Sequence, residues 1–420
     1  MSQNFIFIHR QSYNLTEVVI LGAIETTIRK IVDEYFDKFV AIRRDLHQHP
    51  ELGLAEFRTA DVIEAHLRNW GITVGPRINK TSVVGTVNGF YSGITVALRA
   101  DIDALPICEV NDLSYKSINP GVMHACGHDV HMTIQLGAGF VLQQIQEFLP
   151  GRVKLFFQQA EETVGGAQTM IAAGVLDDDH VAHVLGMHVC PRLEVGTFGV
   201  KYDHAYAASD TVTLHVYGTA AHAAAPHEGV DAIVVASNIV MALQTLISRN
   251  TSPLEAAVLS FGQITGGTAH NVIVDHVMLR GTLRTLSDET RKNLKNRIFE
   301  LAHNIAKAYD AEIALQIEAG YDALVNDEQV TDIVNAVAKK VLGNDNVTVL
   351  KNPTMGVEDF AYFAKARPSS YNRLGVANVQ AGITAPLHHG EFAVDEEAIR
   401  HGILIQVLSV LALLGVDLDD

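Results

Sequence analysis

The chain has few cysteines, and this shortage limits where it can work. It carries three cysteines, Cys108, Cys126 and Cys190, in 420 residues. A small and odd number of cysteines is typical of proteins from a reducing compartment and argues against a disulfide scaffold. We therefore expect a cytoplasmic protein.

The chain is also short of positive charge, which argues against a nucleic-acid partner. Its formal net charge is −17, whereas phosphate binding needs clustered Lys and Arg. Charged residues make up 19% of the chain and apolar residues 48%, values typical of a folded globular protein rather than a disordered one. At 420 residues the chain is too long for one ordinary core, which favours two domains.

The apolar runs near the two ends of the chain do not indicate membrane segments. Residues 18–24 are apolar, but glutamates flank them, and the run is short for a bilayer span and poor as a signal peptide. The run 402–416 is interrupted by Gln406 and Ser409 and is better explained as a buried terminal helix. We expect no contact with a membrane.

The periodicity of apolar residues predicts strands that alternate with helices. Buried strands are predicted at 82–87, 94–100, 153–159 and 181–187, with helices at 57–69 and 131–148 among them. Such alternation is typical of a mostly parallel sheet covered on both faces. Between 211 and 317 the predicted order becomes β-α-β-β-α-β, that of a ferredoxin-like unit.

We therefore predict an α/β fold whose mostly parallel sheet is interrupted by an inserted ferredoxin-like α+β domain. The first domain is discontinuous and covers 27–205 and 321–420, and the insertion covers 206–320. Residues 1–26 form an extension to which the sequence assigns no role.

Side chains that can bind metal stand at the predicted carboxyl ends of three strands. Asp101 follows the second strand, Glu161 and Glu162 follow the third, and His188 follows the fourth. The carboxyl ends of parallel strands meet at one edge, where binding sites form. Taken singly, a Glu pair is more often exposed on a loop, and a lone His on an apolar strand is more often a hydrogen-bonded core residue. Their shared edge favours a cation site in which one glutamate is a ligand and its neighbour a general base.

The stretch from His124 to Asp129 adds a thiol and two imidazoles to this picture. In an extended segment the side chains of Cys126 and His128, two positions apart, lie on one face and converge. Thiolate with imidazole suits zinc and its borderline neighbours. The ordinary alternative is a buried cysteine beside a helix-capping histidine.

Further candidate histidines lie elsewhere in the chain. His388 and His389 are adjacent in the loop 387–392, and either fits a ligand by spacing. His222 lies in the inserted domain and reaches the other residues only if the domains close over a cleft. It is a candidate for contact with substrate or an oxyanion, and the alternative is a polar turn residue.

Eight segments occur in a fixed order that resembles one enzyme family. They are His47 to Gly53, Arg99 to Pro106, His124 to Asp129, Gln159 to Glu162, Gly218 to Pro226, Gly266 to Ile273, Met355 to Phe363, and Pro386 to Phe392. Together they closely resemble the aminoacylase/carboxypeptidase metallopeptidase family. The nearest branch contains amidohydrolases such as hippurate hydrolases, auxin-conjugate hydrolases and N-acetyldiaminopimelate deacetylases.

The resemblance implies roles residue by residue. Glu161 falls on the general base, and Asp101 falls on a carboxylate that orients the site. In the wider family a metal-binding His stands two residues before that Asp, and Arg99 stands there in this chain, as expected for the branch. The chain departs from the branch at His389-Gly390, where Ser-Pro is usual, and at Val357, where Ser or Thr is frequent. The metal-ligand positions of the branch fall on Cys126, which takes the place of a bridging carboxylate, and on His128, Glu162, His188 and His388.

The function that the resemblance implies is that of a metal-dependent amidohydrolase, which cleaves an N-acyl amino acid to a carboxylic acid and a free amino acid. Two divalent ions per subunit, Zn, Mn, Co or Ni, are expected to polarise the carbonyl and activate a water. Glu161 is expected to move the proton, and His222 to stabilise the oxyanion once the inserted lid closes. Asn271 and Arg284 are candidate partners of the substrate's carboxylate. A homodimer through the lid is also expected.

Two other interpretations stay open at this point. A dipeptidase or carboxypeptidase of the same family would cleave peptide bonds, but the cysteine in the ligand set favours the amidohydrolase branch. A catalytically inactive metal-binding protein is the second alternative. It would have no need for both Glu161 and Glu162.

Overall fold

The computed structural model describes residues 15–177 and 180–417, with side chains described from residue 24. The α-helices are α1 (Leu15–Gln48), α2 (Phe57–Asn69), α3 (His128–Gln144), α4 (Ala167–Ala172), α5 (Ala232–Asn250), α6 (Asp288–Ala308), α7 (Glu328–Leu342), α8 (Ala361–Ala366) and α9 (Glu397–Leu413). The strands are β1 (Thr73–Val74), β2 (Val83–Asn88), β3 (Tyr91–Asp101), β4 (Pro150–Gln158), β5 (Val181–Glu194), β6 (Phe198–Val200), β7 (Asp203–Tyr206), β8 (Ala208–Tyr217), β9 (Ala221–His222), β10 (Ala257–Gly266), β11 (Val272–Ile273), β12 (His276–Thr285), β13 (Glu312–Ala319), β14 (Leu324–Asn326), β15 (Val347–Val349) and β16 (Ser369–Ala377).

The first domain is built on one eight-stranded sheet with the strand order β1-β2-β4-β3-β5-β16-β6-β15. Its centre is parallel, because β4, β3, β5 and β16 pair with one another in parallel. Antiparallel pairs occur on either side of this centre, at β1–β2, β2–β4 and β6–β16. The predicted mostly parallel sheet is therefore confirmed.

Helices cover both faces of this sheet. Val96 and Leu98 of β3 pack with α1, α3, α7 and α9 in the larger hydrophobic core, while Ala97 between them packs with α4 and α8 in a smaller one. Successive side chains of a strand point to opposite faces, so β3 is buried without interruption from Thr95 to Asp101. Each fully buried Val or Leu side chain contributes about 1.5–3 kcal/mol to folding through its removal from water.

The second domain has a sheet and a core of its own. Its strands follow the order β10-β12-β8-β13, and all neighbours are antiparallel. The helices α5 and α6 cover one face, where Ile239 and Ile298 meet Leu214 and Leu279 in a separate hydrophobic cluster. We call this domain the lid, and its connectivity is the β-α-β-β-α-β order predicted from the sequence. We propose the limits 206–320 for it.

By length and composition, one helix in the described part of the chain, α5, is apolar enough to cross a membrane. Buried residues of α5, including Val235, Ile239 and Leu243, form one side of the lid core. This is the position expected for the core helix of a folded domain. Such helices can be as long and as apolar as a membrane-spanning helix.

The structure differs from the sequence-based expectation at β16 (Ser369–Ala377), a central strand that the apolar pattern does not predict. Eight of its nine residues are buried, although several are polar. Asn372 Nδ2 donates a hydrogen bond to Ser370 Oγ at 2.8 Å, and Ser370 Oγ lies 2.9 Å from Thr331 Oγ1. Because these buried polar groups are paired, a strand without the usual apolar run is stable at the centre of the sheet.

A second difference concerns the start of the first helix. The periodicity predicts a helix from Thr27, whereas α1 begins at Leu15. Ile24 is only 8% exposed and belongs to the main core. The predicted extension 1–26 is therefore helical from residue 15, and residues 1–14 lie outside the described part of the chain.

Candidate metal centre

The residues predicted at the strand ends come together at the carboxyl edge of the sheet. Asp101 ends β3, and Glu161 and Glu162 follow β4. His188 lies inside β5, because that strand continues to Glu194 instead of ending near Met187 as predicted. A cavity of about 620 Å³ opens over this edge. Its walls include Cys126, Glu161, Glu162, His188, Glu358 and His388.

The turn that carries Cys126 and His128 depends on Gly127. Its φ is +81°, in the left-handed region that favours glycine, and a Cβ at this position would lie 2.5 Å from Val189 Cγ2. His128 is the first residue of α3. The two side chains therefore converge through a left-handed turn at a helix start, not through the extended segment that the spacing suggests.

Five groups of ligand-type atoms occur among the described residues, and two of them share one thiol. Cys126 Sγ lies 3.4 Å from His188 Nε2, and the thiol, His128 and His188 offer atoms within 4.8 Å of one another. Cys126 also forms such a group with Glu162 and His388. Glu162 Oε1 lies 3.2 Å from His388 Nε2. A thiolate common to two groups matches the place of a bridging ligand.

The outer nitrogens of two of these histidines are already hydrogen-bonded, which points their inner nitrogens at the cleft. His128 Nδ1 donates to the Asp103 carbonyl oxygen at 2.8 Å, and His188 Nδ1 donates to the Val189 carbonyl oxygen at 2.7 Å. His128 Nε2 is buried and has no hydrogen-bond partner. Histidines that bind metal are held in this way, with the second nitrogen fixed by a carbonyl or carboxylate.

The electrostatics of the cleft also fit divalent cations. Burial acts to lower the pKa of His128, but the carboxylates of Asp101 and Asp103 raise it to about 10. Burial, with Glu162 nearby, raises the pKa of the Cys126 thiol well above its ordinary value. A divalent cation would balance the carboxylates and favour the thiolate. Thiolate, imidazole and carboxylate together suit zinc and related transition metals.

Glu161 lies beside these ligands and is itself buried, with 8% of its surface exposed. Its carboxylate forms a group within 4.8 Å with His128 and Glu162. Burial first, and then the carboxylates of Glu358 and Asp359, raise the pKa of Glu161 well above its usual range. The side chain therefore has a high affinity for a proton at the edge of the candidate metal site.

Asp101 and Arg99 form a buried ionic network behind the ligands. Asp101 Oδ1 accepts from His131 Nδ1 at 2.6 Å and Oδ2 accepts from Arg99 Nη1 at 2.7 Å, while His128 Nε2 lies 3.7 Å from Oδ2. Arg99 also donates to Asp359 Oδ1 at 2.7 Å. Arg99 thus holds carboxylates in the position where the wider family has a metal-binding histidine.

A second buried network fixes the start of α3. Arg43 Nε and His47 Nδ1 each lie 2.8 Å from Asp129 Oδ2, and His47 Nε2 lies 3.1 Å from Glu109 Oε1. Burial and Arg43 act to lower the pKa of His47, but the bonds to Asp129 and Glu109 outweigh them and raise it. This network gives His47 a supporting role that its sequence motif leaves unassigned.

The loop after β16 distinguishes the two adjacent histidines. Both side chains are about half exposed, but His388 Nε2 lies 3.2 Å from Glu162 Oε1, whereas His389 Nδ1 accepts from the Glu391 backbone at 3.2 Å. His388 has a φ of +61°, a left-handed conformation that turns its side chain into the cleft.

The lid residues divide into one that lines the cleft and two that do not. Arg284 of β12 lines it, and its Nη1 is buried without a hydrogen-bond partner. His222 is exposed and pairs with Val272 in the small β9–β11 sheet, next to exposed Asn271. His222 and Asn271 are not among the cleft-lining residues, so their substrate contacts stay predictions that require movement of the lid.

Arg373 and Tyr206 are among the cleft residues that have no counterpart among the predicted site residues. Arg373 lies on the unpredicted strand β16, beside His188 in register. Tyr206 ends β7 and also lines the cleft. Neither belongs to a motif that indicates chemistry, and only the paired strands bring them to the site.

Comparisons with known proteins identify the family. Residues 97–411 match Peptidase family M20/M25/M40. The chain belongs to this family. An N-acetyl-L-cysteine deacetylase of Bacillus subtilis (strain 168) is 40% identical over 363 residues, 86% of this chain and 85% of that protein. A thermostable carboxypeptidase 1 of Saccharolobus solfataricus is 35% identical over 385 residues, 91% of this chain and 96% of that protein.

A solved structure of the M20 family shares the whole architecture. It is the Bacillus subtilis YXEP protein, described as a dinuclear metal binding peptidase. The TM-score is 0.81 at 31% identity, with 92% of this M20 chain and 100% of that chain covered. The predicted family, the α/β fold with a lid and the assignment as a metal-dependent hydrolase of amides are confirmed by these matches.

Proposed function

We propose that this M20 chain is a metal-dependent amidohydrolase that cleaves N-acyl amino acids. One observation carries the proposal: the buried carboxylate of Glu161 lies next to a cluster of thiol, imidazole and carboxylate ligands in a single cleft. The deacetylase relative supports an N-acyl amino acid as substrate. A protein that only bound metal would not need the extra carboxylate.

We assign two divalent ions to the two groups of ligand atoms. Cys126, His128 and His188 would hold one, and Cys126, Glu162 and His388 would hold the other. Zinc, manganese, cobalt and nickel all accept this donor set. Ions bound there would polarise the scissile carbonyl and lower the pKa of an attacking water.

The contribution of Glu161 is the transfer of a proton. Its carboxylate accepts a proton from the attacking water and delivers it to the amide nitrogen, which leaves as an amine. The raised pKa of Glu161, caused by burial and by Glu358 and Asp359, favours this use, because the protonated carboxyl must persist until the nitrogen accepts.

Recognition of the substrate's carboxylate is assigned to the lid. Arg284 faces the cleft with its Nη1 unpaired, and a guanidinium binds a carboxylate through two parallel hydrogen bonds. Closure of the lid would add Asn271 to this contact. It would also bring His222 to the oxyanion that forms as the carbonyl is attacked.

A substrate panel tests the proposed function. We expect the metal-loaded chain to hydrolyse N-acetyl-L-leucine and N-benzoyl-L-leucine with kcat/KM at least about tenfold above that for glycyl-L-leucine, a difference of about 1.4 kcal/mol. A second cavity adjoins the cleft, and the charged residues on its walls are Arg192, Lys201 and Arg373. An acyl group that extends into this cavity is therefore favoured over the free ammonium group of a dipeptide.

Other results of the substrate panel would favour one of the two alternative functions, a peptidase or an inactive metal-binding protein. Turnover of the dipeptide without turnover of acyl amino acids would make the chain a peptidase, as the carboxypeptidase relative suggests. No turnover after loading with Zn, Mn, Co or Ni in turn would make it an inactive metal-binding protein.

We also propose a homodimer through the lid. The outer face of α5 is uncharged along most of its length and exposes Ile233, Val234 and Met241, the last at 72%. The neighbouring strand β10 is an edge strand of the lid sheet. An exposed apolar face beside an open sheet edge is typical of an association surface.

The mass in solution checks this dimer. We expect twice the 45.6 kDa of one chain, and we expect Met241→Asp to give monomers because it buries a charge in the interface. Asn296→Asp, on the exposed side of α6, is the control that adds the same charge elsewhere on the lid. A wild-type mass of one chain would contradict the dimer.

We also propose a cytoplasmic location for the chain. The exposed free thiol of Cys108 supports this location, and cell fractionation checks it.

A further inference from the structure

A second cavity of about 880 Å³ adjoins the catalytic cleft and carries a distinct charge. It shares Arg373 and three other wall residues with the cleft. The charged residues on its walls are Arg192, Lys201 and Arg373, and no Asp or Glu is among the residues that line it. In a chain of net charge −17, a cavity lined by three cations and no carboxylate favours an anion.

Arg373 stands at the junction of the two cavities without a partner for its charge. Its guanidinium lies 4.4 Å from the centre of the Tyr206 ring, and it makes no ion pair or hydrogen bond with any residue in 15–177 or 180–417. The nearby carboxylate of Glu358 is taken by Tyr371 Oη at 2.6 Å and by Arg99 at 3.1 Å. Arginine keeps its charge in proteins, and this partly buried guanidinium is therefore available to an anion that enters either cavity.

Tyr206, whose ring lies against Arg373, supplies a second unpaired donor on the cleft side of this junction. The residue is 6% exposed, and its hydroxyl is buried with no hydrogen-bond partner. Buried hydroxyl groups are nearly always bonded. Tyr206 lines the cleft and Arg373 lines both cavities, so two donors that both lack an acceptor are neighbours on the cleft wall beside the cationic cavity.

We propose that Arg373 and Tyr206 bind a second carboxylate of the substrate, distinct from the α-carboxylate, so that the enzyme prefers N-acyl amino acids with two carboxylates. This inference rests on the proposed function, in which Arg284 on the lid takes the α-carboxylate. The second carboxylate stands either at the end of the acyl group or on the amino-acid side chain. Both sources present the same planar anion to the guanidinium.

Three substrates and one variant test the inference. We measure kcat/KM for N-acetyl-L-leucine, N-succinyl-L-leucine and N-acetyl-L-glutamate with the metal-loaded wild type and with Arg373→Gln. We expect the wild type to prefer one of the two dicarboxylates over N-acetyl-L-leucine. The preference ratio is kcat/KM for the preferred dicarboxylate divided by kcat/KM for N-acetyl-L-leucine. In Arg373→Gln this preference ratio should fall about 10- to 100-fold, the range for loss of a hydrogen bond to a charged group. The substrate that loses its preference identifies the source of the carboxylate.

Further variants separate recognition from folding. The ratio of kcat/KM values for two substrates does not depend on the fraction of the enzyme that is folded and active, because both values are measured on the same preparation. Arg373→Lys keeps the charge and should recover part of the ratio, and Tyr206→Phe keeps the ring and should lower the ratio by less than Arg373→Gln. Arg68→Gln removes the same charge from the exposed end of α2 and should leave the ratio unchanged. If Arg373→Gln is inactive, the ratio in Tyr206→Phe decides.

Each remaining outcome overturns the inference. A wild type without preference for either dicarboxylate contradicts it. Arg373→Gln could also lower kcat/KM equally for all three substrates, with the ratio of kcat/KM values unchanged in Tyr206→Phe. That result would show that Arg373 does not bind a second carboxylate. In both cases the proposed function stands, because acyl amino acids are still hydrolysed. No hydrolysis of any of the three by the wild type would remove both proposals.

Discussion

Glu161→Gln is expected to lower kcat by about 10²–10⁴-fold, the contribution of a positioned general base. Glutamine has the size of glutamate and still forms hydrogen bonds, but its neutral amide cannot accept the proton of the attacking water. Because Glu161 is not among the proposed ligands, we expect the metal content to stay near that of the wild type. Steady-state hydrolysis of N-acetyl-L-leucine and metal analysis of the same sample measure both quantities.

The control for this variant is Glu147→Gln, which makes the same chemical change on an exposed surface residue. It should keep both activity and metal. A Glu161→Gln enzyme that retains most of its kcat would show that another group moves the proton. Loss of metal along with activity would instead place Glu161 among the ligands, in line with its position within 4.8 Å of His128 and Glu162.

Cys126→Ala is expected to weaken the binding of both divalent ions and to lower kcat/KM by at least about 100-fold, the upper range for changes around a metal site. Cys126 is the only residue common to the two ligand groups that we assign to the ions. Its removal opens both groups at once. Metal analysis after gel filtration, with hydrolysis on the same fractions, measures the effect.

The matched comparison is His188→Ala, which removes a ligand from one of the two groups. It should lower the metal count by about one ion per chain, whereas Cys126→Ala should lower it further. If Cys126→Ala binds two ions as tightly as the wild type, the thiol does not bridge. If both variants lose one ion, Cys126 belongs to a single ion.

Local signals in the sequence predict much of the fold. The helix α6 begins at Asp288 as predicted, because Ser287 accepts from the Thr290 backbone and two acidic residues follow it. The helix α2 also has the predicted bounds. The alternation of strands and helices leads to the parallel centre of the sheet because chain connectivity leaves few other arrangements.

The candidate site is predictable as far as its residues stand at strand ends or in a short motif. Asp101, Glu161 and Glu162 lie at one edge because parallel strands end there. The choice of His388 over His389 is not predictable from spacing, since it depends on a left-handed backbone at His388 and on the position of Glu162.

What the sequence does not predict rests on pairing between distant parts of the chain. Arg99 reaches Asp359 across 260 positions, and no local pattern reveals that bond. Arg373 is placed by β16, a strand whose buried polar residues hide its central position. The position of His222 outside the cleft depends on how the lid is held relative to the sheet, which a one-dimensional pattern does not encode.

The most direct test of the metal-dependent mechanism is a count of divalent ions per chain, made on the same samples as hydrolysis of N-acetyl-L-leucine. We predict two ions on the active enzyme, loss of both ions and activity after chelation, and recovery of activity in step with reoccupation. Full turnover by a chain that carries fewer than about a tenth of an ion would contradict a mechanism built on the Cys126 site.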